Sequence, residues 1–383
     1  MERELEKLRQ IRQELRAGFY ERDEVVDGAM CALLSGAHML LIGPPGTAKS
    51  MLAHEVCGRI NGAGYFQWLL TKFTTPEEIF GAVSLKGLEN DEYRRVTTSK
   101  LPEAHVAFLD EVFKSSSSIL NTLLTIMNER IFFNGAGHID VPLITLVGAS
   151  NEIPSEEDEL EALYDRFLLR YVVDYIKEDF RFLKLLGSQS AGSERTTITL
   201  QELRVCRGAL PGVEVSPQIL KLIARIRGEL RKKGVVVSDR RYKQSVSVLQ
   251  SLALLNGREG VLEEDMAMFQ NLLWREPGER AEIQAVVHQV LHGYRDRSRE
   301  LLIQAKEIES YAKRPWDNDD MLVKANIEAQ TKLKMILSNF DSILEECKER
   351  GKATDELEGV KNKIEGIQKE ILNAILSGEG EMS

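Results

Sequence analysis

Residues 43–50 have the types and the spacing of a phosphate-binding loop. An apolar run at 38–42 precedes them, and a helix-compatible stretch at 51–60 follows. The backbone N–H groups of such a loop, with the N-terminus of the next helix, converge on an anion. Its lysine can reach the β- and γ-phosphates, and its last hydroxyl can hold Mg²⁺. The residues predicted to contact a nucleotide are Gly43, Pro44, Pro45, Gly46, Thr47, Ala48, Lys49, Ser50 and Met51.

One position departs from the strict form of this loop. The residue before the lysine is glycine in the strict pattern, and here it is Ala48. Alanine disfavours a positive φ, so we expect the loop to enter its helix one residue earlier. A Gly/Pro turn that caps a helix without binding phosphate is the alternative interpretation of the same residues.

Two carboxylates follow the next strongly apolar run. This run, at 106–109, ends in Asp110 and Glu111, and open α/β folds bind ligands at the carboxyl edge of the sheet. Asp110 is predicted, together with Ser50, to hold the Mg²⁺ that accompanies the nucleotide. Glu111 is predicted to accept a proton from, or to orient, the water that attacks the γ-phosphate.

Two further polar residues lie close to apolar strands. Asn151 ends a third apolar run, where its amide can donate to the γ-phosphate or to the attacking water; alternatively, it caps a helix or a turn. Arg166 is placed to reach across a subunit boundary as an arginine finger, which stabilises transition-state charge. A salt bridge to Asp165 is the alternative for Arg166. Arg170 and Arg130 are the alternative fingers.

A pair of arginines follows a potential helix cap farther along the chain. Ser238 or Asp239 would cap this predicted helix. An arginine in its first turn could contact the γ-phosphate and couple the nucleotide state to the position of the domain that carries it. Arg240 is the predicted contact and Arg241 is the reserve. The alternative is an arginine on the solvated surface.

Composition limits the class of protein. The chain has 383 residues, of which 43% are hydrophobic and 29% charged, and its net charge is −10. These values are typical of a soluble globular protein with two or three domains. No apolar stretch approaches the roughly 20 residues that span a membrane, and the scattered cysteines favour a reduced, cytoplasmic setting. The acidic balance argues against nucleic acid as the main partner, because such binding needs a basic footprint.

Apolar strands and helical patterns alternate in the first half of the chain. Besides the strand before the loop, the predicted strands are 64–70, 106–109, 143–149 and 169–173. Their near-continuous apolar character indicates a parallel sheet covered on both faces. The predicted inserted hairpins are 83–96, turning at 89–92, and 131–141, turning at 134–137.

The second half of the chain is predicted to be helical. A small polar segment, 187–196, is the predicted linker. Beyond it, the predicted helices of a smaller domain are 200–207, 217–232, 240–255 and 263–274. Heptad-like spacing at 322–347 and 357–374 predicts an antiparallel helical hairpin. The predicted domains are an αβα nucleotide-binding domain at 1–186, an all-α lid at 187–276 and a C-terminal helical extension at 277–383.

Taken together, the motifs resemble those of the MoxR branch of the AAA+ ATPases, and within it the RavA-like subgroup. The similarity covers roughly residues 15–275. It is carried by the loop with alanine before its lysine, by the segments 109–111, 148–151 and 163–167, and by 18–22, 72–81, 120–124, 128–130, 150–154, 160–166 and 237–241.

The resemblance implies an α/β fold: a P-loop AAA+ αβα parallel-sheet core, a hairpin inserted in its second helix, and an all-α lid. It implies hydrolysis of ATP with Mg²⁺ in a homo-oligomer, typically a ring hexamer. It also implies chaperone-like remodelling of a partner protein together with a von Willebrand factor A domain protein. Tyr20 would pack near the adenine. RavA proteins also carry a β-rich module that binds a lysine decarboxylase, whereas residues 278–383 show helical patterning alone.

Two other functions remain open on the sequence. A nucleic-acid motor related to the MCM helicases would use a basic cluster at 225–243 with Lys86, Arg94 and Arg95 on the first predicted hairpin. A chelatase-type motor subunit would drive metal insertion into a tetrapyrrole. Nothing in the sequence specifies a porphyrin or a metal for that second activity.

Overall fold

The computed structural model describes residues 2–153, 158–187, 195–316, 319–349 and 354–379. The predicted linker at 187–196 lies outside these residues except at its ends. The chain divides into two compact units. Unit 1 comprises Met1–Leu220 and Arg227–Gln284, and unit 2 comprises Lys221–Ile226 and Ala285–Ser383. The three-domain division stays a prediction.

The named helices and strands are mixed as far as Thr199, and those beyond it are helices. In chain order they are α1 (Glu2–Gly18), α2 (Asp23–Ser35), β1 (His38–Ile42), α3 (Lys49–Gly58), β2 (Ile60–Asn61), β3 (Tyr65–Leu69), α4 (Pro76–Phe80), α5 (Leu85–Leu88), β4 (Val106–Asp110), α6 (Ser117–Glu129), β5 (Ile131–Asn134) and β6 (Gly137–Asp140). They continue with β7 (Thr145–Ser150), α7 (Asp158–Arg166), β8 (Phe167–Val172), α8 (Asp179–Gly187), β9 (Ile198–Thr199), α9 (Leu200–Ala209), α10 (Pro217–Lys232), α11 (Asp239–Leu255), α12 (Glu279–Ala312), α13 (Asp319–Glu349) and α14 (Asp355–Glu379).

A five-stranded sheet forms the centre of unit 1. Its order is β3-β4-β7-β1-β8, and every neighbouring pair is parallel. Strands β1 and β7 are buried along their whole length, which requires cover on both faces of the sheet. The predicted strands and the predicted parallel sheet are confirmed. Because the strands are parallel, the carboxyl ends of β1, β4 and β7 meet at one edge.

The two predicted insertions have different structures. Strands β5 and β6 pair antiparallel, as predicted for the second hairpin. In the first insertion, the ends meet through a single antiparallel bridge between Val83 and Arg95. Between them lies the helical turn α5, whose Gly87 N–H donates to the Ser84 hydroxyl over 3.1 Å. The prediction of two strands at 83–96 is therefore wrong, because a serine cap favours a helical turn there.

The helices after β9 follow the predicted pattern with one change. Helices α9, α10 and α11 overlap the predicted helices, but the fourth predicted helix is a 3₁₀ helix, Glu263–Asn271. Trp274 follows it and is completely buried, together with Phe269. Trp274 lies beside β8, since Arg170 of that strand donates to the Trp274 carbonyl.

Unit 2 is helical in its described residues. Helices α13 and α14 share an apolar core that includes Leu333, Phe340 and Ile364. Contacts between the two helices show that they are antiparallel, because residues later in α13 meet residues earlier in α14. The Gln330 side chain donates to the Gln368 carbonyl, Asp341 forms an ion pair with Lys361, and Lys348 forms an ion pair with Glu358. The predicted antiparallel hairpin is thus confirmed. Among the described residues, no helix combines the length and the apolar character needed to cross a membrane.

Candidate nucleotide site

The predicted phosphate loop follows the central strand β1. The N–H of Gly43 donates to the carbonyl of Ser150 over 3.0 Å, and a Cβ at Gly43 would lie 1.9 Å from the Val173 carbonyl oxygen. Glycine is therefore required where the loop leaves the sheet. The Lys49 ammonium donates to the carbonyls of Gly43 and Pro44, both at 2.7 Å. Burial lowers the pKa of Lys49, and the negative charges of Asp110 and Glu111 oppose that shift.

Ala48 does not behave as the sequence predicts. Its φ of 64° and ψ of 23° are left-handed, and α3 begins only at Lys49. The expectation that the loop enters its helix earlier is wrong. A left-handed conformation costs a residue with a Cβ roughly 1–2 kcal/mol. Backbone strain of this kind is typical of ligand-binding loops, where the surrounding structure holds the conformation in place.

Ala48→Gly is expected to raise the free energy of unfolding by about 0.5–1 kcal/mol, because relief of the strain exceeds the added backbone entropy of glycine. Gly46→Ala is the matched control. Gly46 has a φ of 79° and open space where a Cβ would be, so backbone strain alone should lower its stability. Urea unfolding measures both variants. A loss of stability in Ala48→Gly would contradict the strain at this position.

The predicted carboxylates and the predicted amide lie at the same edge of the sheet as the loop. Asp110 ends β4, and its Oδ1 accepts the N–H of Glu111 over 3.1 Å. Glu111 has a left-handed φ of 50°, and its carboxylate is 13% exposed and 3.2 Å from the Lys114 ammonium. Asn151 follows β7 and is exposed. The parallel strand order thus brings together the loop, both carboxylates and the amide.

The donors at this edge fit Mg²⁺. Asp110 supplies a carboxylate, and Ser50, the second residue of α3, supplies a hydroxyl. Hard oxygen ligands of this kind, few in number and completed by water and phosphate, are what Mg²⁺ prefers.

An apolar cavity of about 370 Å³ lies beside the loop. It is lined by the predicted residues Tyr20 and Met51, and by Phe19, Tyr175 and Phe182, which the sequence did not assign to the site. The Tyr175 hydroxyl donates to the Pro45 carbonyl over 3.3 Å. A concave, mostly apolar wall next to a phosphate loop suits a planar base. No motif pointed to Tyr175 or Phe182, because they reach the site only through the folding of the chain after β8.

Hydrogen bonds join two segments that line this cavity, the one between α1 and α2 and the one after β8. The Glu21 carboxylate accepts the N–H groups of Lys177 and Glu178, each at 3.0 Å. These backbone hydrogen bonds lower the pKa of Glu21. Arg22 donates to the carbonyl of Asp174. The segment between α1 and α2 is therefore bound to the segment after β8.

Arg166 lies at the opposite edge of the sheet. It is the last residue of α7, directly before β8, and Phe167 pairs with His38, the first residue of β1. Gly43 follows the last residue of β1. The five residues of this strand separate the two edges by roughly 15 Å, at about 3.3 Å per residue. Arg166 is therefore far from the phosphate loop of its own chain.

Arg240 lies beside Arg166 rather than beside its own phosphate loop. Its guanidinium donates to the Asn128 side chain over 3.2 Å, and both arginines line a cavity of about 210 Å³. Burial, and then the charge of Arg240, lower the pKa of Arg166. The nearest Arg166–Asp165 contact is 3.9 Å, and the buried Arg166 Nε lacks a hydrogen-bond partner within the described residues. Two cations so placed favour an anion between them.

The alternative fingers are engaged by the chain itself. Arg130 donates to the carbonyls of Met127 at 2.7 Å and Gly36 at 2.8 Å, and contacts the His38 ring. Arg170 is 1% exposed. Burial lowers the pKa of both arginines to about 10. Arg166 is the better placed of the three to reach another molecule.

The strand order, the phosphate loop, the inserted segment and the helical lid define an AAA+ α/β fold. A family model described as the MoxR domain in the MoxR-vWA-beta-propeller ternary systems matches residues 6–205. A second model, the AAA lid domain, matches residues 218–287. The chain belongs to the MoxR family of AAA+ ATPases. The RavA-like subgroup stays a prediction.

Individual relatives agree with this family. The chain is 37% identical, over 373 residues, to an uncharacterized protein of Methanocaldococcus jannaschii, covering 94% of this chain and 98% of that protein. It is 26% identical, over 264 residues, to Chaperone MoxR1 of Mycobacterium tuberculosis, covering 64% and 68%. The crystal structure of a candidate ATPase from Cytophaga hutchinsonii matches with a TM-score of 0.60 and 17% identity, over 76% of this chain and 94% of that one. The last similarity supports the fold alone.

Proposed function

We propose that the protein hydrolyses ATP at the boundaries between copies of itself in a ring, expected to be a hexamer, and uses the turnover to remodel a partner protein. The observation that carries this proposal is the separation of two half-sites. The loop, Asp110, Glu111 and Asn151 lie at the carboxyl edge of the sheet, whereas Arg166 and Arg240 lie at the amino edge. A second copy would complete the site.

A head-to-tail contact brings such edges together. When one face of a subunit binds a different face of the next, the contact closes into a ring if the rotation allows it. The amino-edge arginines of one copy would then face the γ-phosphate held by the next copy. Arg166 would act as the finger, and Arg240 would contact the same phosphate. This arrangement places both arginines where charge develops during phosphoryl transfer.

The carboxyl edge would supply the remaining roles. Lys49 neutralises the β- and γ-phosphates, and Tyr20 packs against the base. Glu111 takes the proton of the attacking water, and Asn151 orients that water. Mg²⁺, held by Ser50 and Asp110, would neutralise phosphate charge when it is bound.

Two comparisons support the partner class. The matching family model describes MoxR domains in systems with a von Willebrand factor A domain protein, and the Mycobacterium tuberculosis relative is named a chaperone. We therefore infer a von Willebrand factor A domain partner and a chaperone-like role. The proposed division of labour gives residues 1–186 to the nucleotide, 187–276 to the lid and 277–383 to a helical extension, and the cytoplasm is the expected compartment.

Lys49→Ala is expected to weaken ATP binding by about 10–100-fold or more, because each charge-assisted hydrogen bond contributes about 1.5–3 kcal/mol. Titration with a fluorescent ATP analogue in the presence of Mg²⁺ measures the affinity. Lys324→Ala, on the exposed surface of α13, is the matched control and should bind ATP normally. Unchanged affinity in Lys49→Ala would remove the phosphate loop from the proposed site.

A further inference from the structure

Two buried arginines surround the short segment that carries Arg166. Arg170 is 1% exposed and Arg241 is 4% exposed. Burial of a guanidinium is costly unless its N–H groups are hydrogen-bonded. Burial lowers the pKa of Arg241 to about 9 and that of Arg170 to about 10. The hydrogen bonds that the two guanidinium groups make must therefore offset the cost of burying them.

Arg241 connects the lid helix α11 to the junction of α7 and β8. Its Nη2 donates to the carbonyls of Phe167 at 3.0 Å and Leu168 at 2.7 Å. Its Nη1 lies 3.3 Å from the Asp165 carboxylate and 3.4 Å from the Asp165 carbonyl. Its Nε donates to the carbonyl of Leu272. One guanidinium therefore holds the backbone on both sides of Arg166.

Arg170 holds the same junction from within β8. It donates to the carbonyls of Tyr164 at 2.9 Å and Phe167 at 3.0 Å, and its guanidinium lies 3.9 Å from the centre of the Tyr164 ring. The last carbonyls of a helix lack partners within the helix. Here the guanidinium groups of Arg170 and Arg241 donate to the last carbonyls of α7, and these hydrogen bonds fix the end of the helix.

The side chain of Arg241 also fixes the position of its neighbour Arg240. Consecutive residues of an α-helix point in directions about 100° apart, so Arg241 enters the interior while Arg240 faces the cavity with Arg166. A lysine could not replace Arg241, because an ammonium is a compact charge without the planar fork that spans several acceptors.

We propose that Arg241 is a positioning residue that binds the segment carrying Arg166 to the lid helix, so that Arg166 and Arg240 are presented together to a neighbouring nucleotide. The proposal rests on the proposed function. If the proposal is correct, replacing the planar guanidinium of Arg241 lowers kcat but does not lower the affinity of the phosphate loop in the same chain for ATP.

The experiment compares Arg241→Lys with the wild type. We expect kcat for ATP hydrolysis to fall by about 10–100-fold, since a misplacement of about 1 Å costs up to about 100-fold, with KM unchanged. Mixing Arg241→Lys subunits with Lys49→Ala subunits should restore turnover in part. In the mixture, an intact loop from one variant meets intact arginines from the other, whereas a merely unstable subunit would not be rescued.

Arg258→Lys is the matched control. Arg258 is a lid arginine that makes two hydrogen bonds with the buried Asp265, at 2.7 and 2.6 Å, far in sequence from the α7–β8 junction. It should lower the melting temperature without lowering kcat. If Arg241→Lys does not fold, Asp165→Asn tests the same connection through a half-exposed side chain, and kcat should again fall at constant KM.

The outcomes separate the two proposals. If Arg166→Ala retains turnover, the finger and the proposed function fail. If Arg166→Ala loses turnover while a folded Arg241→Lys, or Asp165→Asn in its place, keeps the wild-type kcat, the positioning role alone is overturned.

Discussion

Arg166→Ala is expected to lower the rate of ATP hydrolysis by about 10³–10⁵-fold, the range that arginine fingers supply, while each chain still binds ATP. The reason is the position of Arg166 at the amino edge of the sheet, beyond reach of the loop in its own chain. Its Nε lacks a hydrogen-bond partner within the described residues, so its removal should leave the fold intact. Steady-state release of phosphate, with a separate ATP-binding assay, measures both effects.

A mixture of inactive variants tests where the finger acts. Arg166→Ala subunits keep an intact loop, and Lys49→Ala subunits keep an intact finger. At ATP concentrations too low to fill the Lys49→Ala loop, each variant alone should show little turnover, whereas mixed assemblies should regain part of it. Arg231→Ala, an exposed arginine on α10, serves as the control and should stay active. Full activity of Arg166→Ala would exclude the finger, and an inactive mixture would argue against a shared site.

Glu111→Gln is expected to lower turnover by about 10²–10⁴-fold, the usual contribution of a positioned general base. Glutamine has nearly the same shape as glutamate, and a left-handed φ costs the two residues about the same. The left-handed φ at this position should therefore not make the variant less stable than the wild type. ATP affinity should be retained, because the phosphate contacts come from the loop. Rapid-quench measurement of a single turnover separates hydrolysis from binding.

The same variant offers a test of the partner. Held with ATP, Glu111→Gln should retain bound proteins that the wild type releases, and we expect a von Willebrand factor A domain protein among them. Glu89→Gln, at the exposed end of α5, is the control for the loss of one negative charge. Wild-type turnover in Glu111→Gln would refute the role assigned to this carboxylate.

The carboxyl edge of the sheet was predictable because its residues follow apolar runs. Asp110 ends β4, Asn151 follows β7, and Lys49 lies after the loop that leaves β1. Parallel strands bring their carboxyl ends together whatever the intervening helices do. The sheet itself was predictable for the same reason. The local signal and the final position agree here, since Asp110, Asn151 and the phosphate loop all lie at or just after the carboxyl end of a parallel strand.

Other features depend on packing that a single sequence does not encode locally. Tyr175 and Phe182 reach the apolar cavity beside the loop only because the chain after β8 folds back onto the segment before α2. Ala48 takes a positive φ because the loop requires it, against the preference of alanine. The helical turn α5 forms within the segment predicted as a hairpin, because the Ser84 cap competes with strand pairing.

The two adjacent arginines of α11, Arg240 and Arg241, must be aligned without a shift when this chain is compared with other sequences. The Ser238 hydroxyl accepts the N–H of Arg241 over 3.2 Å, so the helix start fixes which arginine enters the interior. An alignment that slips by one position here would exchange the arginine that holds the backbone for the one that meets phosphate. An insertion between Ser238 and Arg240 would rotate both side chains by about 100° relative to the helix cap. We therefore expect the segment from Ser238 to Arg241 to tolerate substitution at the exposed Asp239 but no change in length.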